Sequence, residues 1–135
     1  MQPIGANREA VAGRIRDQFP LNGTPLYDVT SNSYQAALAA YDPTRINAVV
    51  LLTDGMNDDG ERSDDATQLQ TLLTTLRAGS AGEQAKPIRI FPIAYGRDAD
   101  LETLRTIAEA TNSAVYDASD PKTITKVFTA VVSNF

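Results

Sequence analysis

Residues 46–53, Ile-Asn-Ala-Val-Val-Leu-Leu-Thr, constrain the fold more than any other stretch of the chain. From Ala48 to Leu52 both alternations are apolar. A strand wetted on one side alternates apolar with polar residues. A strand apolar on both sides is built to be covered twice, as in a parallel sheet between helical layers. The segment runs straight into acids: Asp54, Asp58, Asp59, Asp64 and Asp65, with Gly55 and Gly60 among them. In open parallel sheets, ligands sit beyond the carboxyl ends of the strands. Asp54 stands at such an end, where a carboxylate has no helix-capping task.

The remaining elements alternate around this strand. Asn7 is placed to cap a helix over about 8–18, with Ala10, Val11, Ile15 and Phe19 as its apolar side. A loop at 20–24 leads to a second helix over about 26–41, stopped by Asp42-Pro43. After the acidic loop, Leu69, Leu72, Leu73 and Leu76 mark a helix over about 65–77, with Asp64 and Asp65 at its electropositive start. Residues 79–87 read as a linker. Residues 88–95 form a second strand, in which Pro92 argues for an edge, a bulge or a strand end. Asp98 or Asp100 caps a helix reaching about Ala110. Residues 114–118 are a short third strand, and Asp120-Pro121 open a last helix. Strands alternating with helices predict right-handed crossovers and an α/β fold, a doubly wound parallel sheet of three strands between helical layers.

A length of 135 residues gives one domain, spanning 1–135. The net charge of -5, without a Lys/Arg run, does not recommend nucleic acid or an anionic membrane as partner. The chain has neither Cys nor His. That removes disulfides, thiolate chemistry, the usual zinc sites and Ser-His triads. The ligand chemistry left is oxygen, which suits Mg2+, Mn2+ or Ca2+. No apolar stretch approaches a membrane span.

The acidic loop admits several readings. It resembles the Gly-Asp-Gly-x-Asn-Asp magnesium loop of haloacid-dehalogenase phosphatases. That family also needs an upstream Asp-x-Asp and a lysine; before Asp54 there is neither, the first lysine is Lys86, and position 53 is Thr instead of Gly. An EF-hand loop counted from Asp54 fails at Met56 and Asp59. In the plainest reading, the acids keep a loop soluble and start a helix.

A second stretch, Asn22-Gly23-Thr24-Pro25-Leu26, resembles the Gly-Thr-x-Leu segment of von Willebrand factor A domains, and Thr53-Asp54-Gly55 resembles their strand-end Thr-Asp-Gly. The likeness runs from about Pro20 onward, and is similar to bacterial proteins that join a solute-binding domain to a von Willebrand factor A domain. It implies a Rossmann-like three-layer sheet and a non-enzymatic, metal-ion-dependent adhesion or protein-interaction domain. It implies that Thr24 and Asp54 serve the metal, Mg2+ or else Mn2+ or Ca2+, and that the partner is a protein offering a carboxylate. Asn57, Asp58 and Asp59 are then expected on the rim, as partner contacts or as solvated loop residues. The resemblance places the protein outside the cell or on its surface.

The family completes its metal site with Asp-x-Ser-x-Ser from an earlier strand. No such stretch precedes Thr24. The chain is therefore expected to correspond to roughly the C-terminal two-thirds of the domain, counted by elements, with Met1 an added or alternative start and at most weak metal binding. A structural module with a vestigial metal site is the alternative reading. A further expectation concerns the edge of strand 46–53. It carries no charge and no proline, so without the family's neighbouring strand it invites pairing with a second copy. A fold-back of residues 1–19 is the other means of covering it.

Overall fold

A computed structural model describes residues 4–19, 23–61, 64–81 and 85–133. The loop expected at 20–24 and the linker at 79–87 fall partly outside these residues. Helix α1 spans Ile4–Arg16 and α2 Leu26–Ala39. Strand β1 spans Ala48–Thr53, followed by α3 at Asp65–Gly79 and β2 at Arg89–Tyr95. Helix α4 spans Leu101–Glu109 and β3 Tyr116–Ala118. A 3-10 turn at Pro121–Thr123 leads into α5, Ile124–Ser133. Asp100 caps α4, accepting from the N–H groups of Glu102 and Thr103 at 3.1 Å each. Asp120 accepts from Lys122 N–H at 3.0 Å and so holds the turn before α5.

The sheet has three parallel strands in the order β1-β2-β3, with Ala48 opposite Arg89 and Ile93 opposite Tyr116. Its two faces carry separate cores. On one, Leu51 and Ile90 pack with Tyr34 and Ala37 of α2, Leu73 and Leu76 of α3, and Leu104 and Ile107 of α4. On the other, Phe91 and Ile93 pack with Val131, Ile124 and Val127 of α5. Helices on both faces make the expected three-layer α/β fold.

Pro92 departs from expectation. It is buried in β2, the central strand, opposite Leu51. The hydrogen-bond alternation accounts for it. Arg89 N–H donates to Asn47 C=O on the β1 side, so the peptide nitrogens of Ile90, Pro92 and Ala94 face β3. There β3 pairs with β2 only from Ile93 onward, and the nitrogen of Pro92 falls before its start. The missing N–H therefore removes no ladder bond. Ile90, further upstream, is served by side chains instead: its N–H donates to Thr111 Oγ1 at 3.0 Å, and its C=O accepts from the Ser113 hydroxyl. Asn112, at φ 54°, turns the chain between them.

Two expectations about cover are corrected. Helix α1 forms, but its apolar side is mostly open: Ile15 is 68% exposed and, beyond the helix end, Phe19 86%, while Val11 is half-buried. Among the described residues, none of α1 belongs to either core. The second correction concerns which face of β1 is open. Leu51 is buried, whereas Val50 is 43% and Leu52 51% exposed. The core under α5 takes in Ala48 at the start of β1 but neither of these two, so the strand read as twice covered is covered once along most of its length.

Candidate functional site

The carboxyl end of β1 is shaped by one backbone clasp. Thr24 and Asp58 pair as an isolated antiparallel bridge, with Thr24 N–H to Asp58 C=O at 2.7 Å and Asp58 N–H to Thr24 C=O at 2.8 Å. The clasp ties the entry of α2 to the acidic loop. Gly23 makes it possible on two counts. Its φ is 101°, and a Cβ there would stand 2.9 Å from Asp58 O.

The clasp also aims Thr24. Its Oγ1 lies over Gly55, 3.3 Å from where a Cβ on that residue would be. Gly55 follows Asp54, so the structure brings Thr24 and Asp54 to the same end of the sheet. Asp54 is exposed. Thr53, by contrast, turns its hydroxyl back on the loop: Gly55 N–H donates to it at 3.3 Å, and it donates to Gly55 C=O at 3.2 Å.

Asn57 does not sit on a rim. It is only 8% exposed. Its Oδ1 accepts from Tyr27 N–H at 3.2 Å, and its Nδ2 donates to Asp65 Oδ1 at 2.7 Å. The reason lies in the start of α2. The residue before that helix is Pro25, which makes no side-chain cap, so the first-turn N–H groups need an acceptor from elsewhere. Asn57 supplies one and fixes the start of α3 with its other end. Pro25 at the cap position is the signal of this need in the sequence.

Asp58 and Asp59 are exposed. With Gly23, Pro25, Asp28 and Gly60 they line an open pocket of about 410 Å3. Asp59 accepts from Gln68 Nε2 at 2.8 Å and from Glu61 N–H at 3.0 Å. The Gln68 bond first, and the Glu61 bond second, hold its carboxyl below the usual range. Asp64 precedes α3 without a side-chain cap bond and accepts from Gln68 at 3.1 Å. A smaller hollow of about 160 Å3 lies among Tyr27, Met56, Asn57, Asp65 and Asp100. Burial, and then the charge of Asp65, push the Tyr27 phenol up.

The donors fit a divalent cation only in part. Thr24 offers a neutral hydroxyl and Asp54 one carboxylate. Mg2+ asks for six oxygens in near-octahedral array, Ca2+ for six to eight. Among the described residues, no group of three or more acids is gathered to hold an ion. The site thus has one strand-end acid, one hydroxyl over a glycine, and an acidic rim.

A parallel α/β sheet with an acid and a helix-entry hydroxyl at its carboxyl edge belongs to the Rossmann-like interaction folds. Residues 8–130 match the von Willebrand factor type A domain family, and the chain belongs to that family. No curated protein matches the chain significantly.

Proposed function

We propose that the chain is a non-enzymatic protein-interaction domain that works from the carboxyl end of its sheet. The carrying observation is the placement of Thr24 Oγ1 over Gly55, beside the strand-end Asp54, in a chain of the von Willebrand factor type A family. Thr24 and Asp54 are its own contribution to a metal-dependent contact. They do not make a complete site, so binding of a partner's carboxylate through a metal needs further oxygen ligands. The rim contacts fall to Asp58 and Asp59. Asn57 acts through the fold by holding the loop. An extracellular or cell-surface setting, in a bacterial protein, goes with this reading.

A second reading, a structural module with a vestigial metal site, draws on the same loop. Asn57 and Asp65 use their polar atoms on each other and on the α2 entry, as a loop kept for shape would.

Calorimetric titration with Mg2+ and Mn2+ separates the two. The first reading expects weak binding, roughly millimolar, that is lost in Asp54→Ala. No heat at all favours the vestigial module. Micromolar binding lost in Asp54→Ala means a fuller ligand set than Thr24 and Asp54. Metal-dependent hydrolysis of p-nitrophenyl phosphate, abolished in Asp54→Ala, would overturn the non-enzymatic assignment.

A further inference from the structure

The peptide bond after Asp54 lies just outside the sheet. The ladder between β1 and β2 ends with Thr53 opposite Ala94, and Asp54 and Gly55 open the acidic loop. Asp54 is exposed. Among the described residues no hydrogen bond or ion pair holds its carboxylate. The Gly55 nitrogen is tied by a long bond to Thr53 Oγ1, at 3.3 Å. Residue 55 has no side chain of its own to shield that nitrogen or stiffen the backbone around it. The chain has a second Asp-Gly pair, Asp59-Gly60, and it is held differently. Asp59 Oδ1 accepts from Glu61 N–H and Oδ2 from Gln68 Nε2. That carboxyl must give up two bonds before it can turn on the nitrogen that follows.

We infer that Asp54-Gly55 is a site of spontaneous modification, at which Asp54 isomerises to isoaspartate while Asp59 stays intact. The Gly55 nitrogen attacks Asp54 Cγ and closes a five-membered succinimide. The amide proton and the hydroxyl of the neutral carboxyl leave together as water. Water then reopens the ring. Attack at Cγ breaks the new bond and restores aspartate. Attack at the main-chain carbonyl of Asp54 breaks its bond to the Gly55 nitrogen instead, and that carbonyl becomes the free carboxylate. The main chain then runs through Cβ and Cγ. Water is the only reagent, and the product has the composition of the starting chain.

Isomerisation rebuilds the end of the strand. The main chain gains one carbon between Asp54 and Gly55, and the carboxylate moves onto the α-carbon. One inserted carbon adds a bond of about 1.5 Å, whereas groups that bind together must keep their geometry to within about 0.5 Å. Thr24 Oγ1 lies 3.3 Å from the place of a Cβ on Gly55, so it has little slack to follow. The modification therefore undoes the placement of Thr24 beside Asp54, and a chain that has aged loses the metal end of its sheet. The loss of metal contact rests on the function proposed above; the modification itself does not.

Incubation of the folded full chain for weeks at neutral pH and body temperature, followed by peptide mapping with electron-transfer fragmentation, tests it. Isoaspartate should accumulate at residue 54, through a species one water lighter, and stay at background at residue 59. Deamidation of Asn22, which also precedes a glycine, is told apart by its change in mass. Asp54→Glu, which would have to close a larger ring, should stay unmodified. Gln68→Ala, which frees one oxygen of Asp59, should let residue 59 react. Background levels at residue 54, over a time in which the same loop converts as a free peptide, overturn the inference. So does conversion at residue 59 equal to that at residue 54 in the unsubstituted chain. The Thr24 amide resonance should shift in step with conversion, and an unmoved resonance would overturn the structural consequence. Mg2+ binding that is unchanged after full conversion would count against the proposed function alone and leave the modification standing.

Discussion

Asn57 caps helix α2 from 30 residues away: its Oδ1 accepts the N–H of Tyr27 at 3.2 Å. The same amide donates to Asp65 at 2.7 Å. One buried side chain thus holds the starts of two helices. Asn57→Ala strands a buried N–H and removes a donor from a carboxylate. The expected loss is about 1–3 kcal/mol, read from the urea midpoint at unchanged m-value. A loss confined to metal or partner binding, with stability intact, would return Asn57 to the rim.

Gly23→Ala meets two obstacles. A left-handed φ of 101° disfavours any side chain, and the new Cβ would stand 2.9 Å from Asp58 O. We expect destabilisation of about 1–3 kcal/mol. Amide exchange at Thr24 and Asp58 should accelerate together, because both N–H groups belong to the clasp.

Gly79, at the end of α3, lies under Tyr34. A Cβ on it would fall 2.0 Å from Tyr34 Oη and 3.0 Å from its Cζ. Neither Tyr34 Oη nor Ser80 Oγ has a hydrogen-bond partner of good geometry among the described residues. Gly79→Ala should therefore lower the melting temperature sharply. Tyr34→Phe alone should be nearly neutral, because the hydroxyl it removes has no such partner. Combined, the phenylalanine should restore part of what the alanine loses, since the ring carbon remains close. A double-mutant cycle measures the coupling, and strict additivity would contradict the packing.

Asp59 bears on stability at acid pH. Its folded pKa is depressed, chiefly by Gln68 and then by the Glu61 N–H. A depressed carboxylate contributes stability that is present above its unfolded value of about 3.9 and fades as pH falls through the folded value. Gln68→Ala should raise the Asp59 midpoint in a carbon-detected titration and flatten stability against pH in that acid window. An unmoved midpoint would mean that the Glu61 bond alone sets it.

The sequence was informative where a local rule was also the final rule. Asp100 caps α4 because a short acid before a helix needs no distant help. The strand from Ala48 to Thr53 is parallel, as its apolar run indicated. The same run misjudged its own cover. Apolar residues on both alternations say that two covers are compatible, not that both are present, and Val50 and Leu52 lie open. The amphipathic pattern of α1 likewise describes a helix without its seat. Asn57 looked like a solvated loop residue because its partners, Tyr27 and Asp65, belong to other elements and meet it only after folding. Thr24 and Asp54 were legible as a pair by resemblance. The clasp that brings Thr24 over Gly55 was not, since it joins backbone atoms that no side-chain pattern reports.

Pro92 has a further effect on how the sheet assembles. A strand that is apolar on both alternations, as β2 is from Ile90 to Tyr95, discriminates weakly between registers, because a shifted pairing buries nearly as much surface. A slide of β3 along β2 that moved the ladder upstream would set its carbonyls against a nitrogen with no proton to give. Pro92 thereby works as a ratchet tooth. It leaves the pairing of Ile93 with Tyr116 untouched and penalises the shifted alternative, so a strand of only 3 residues finds a single resting place.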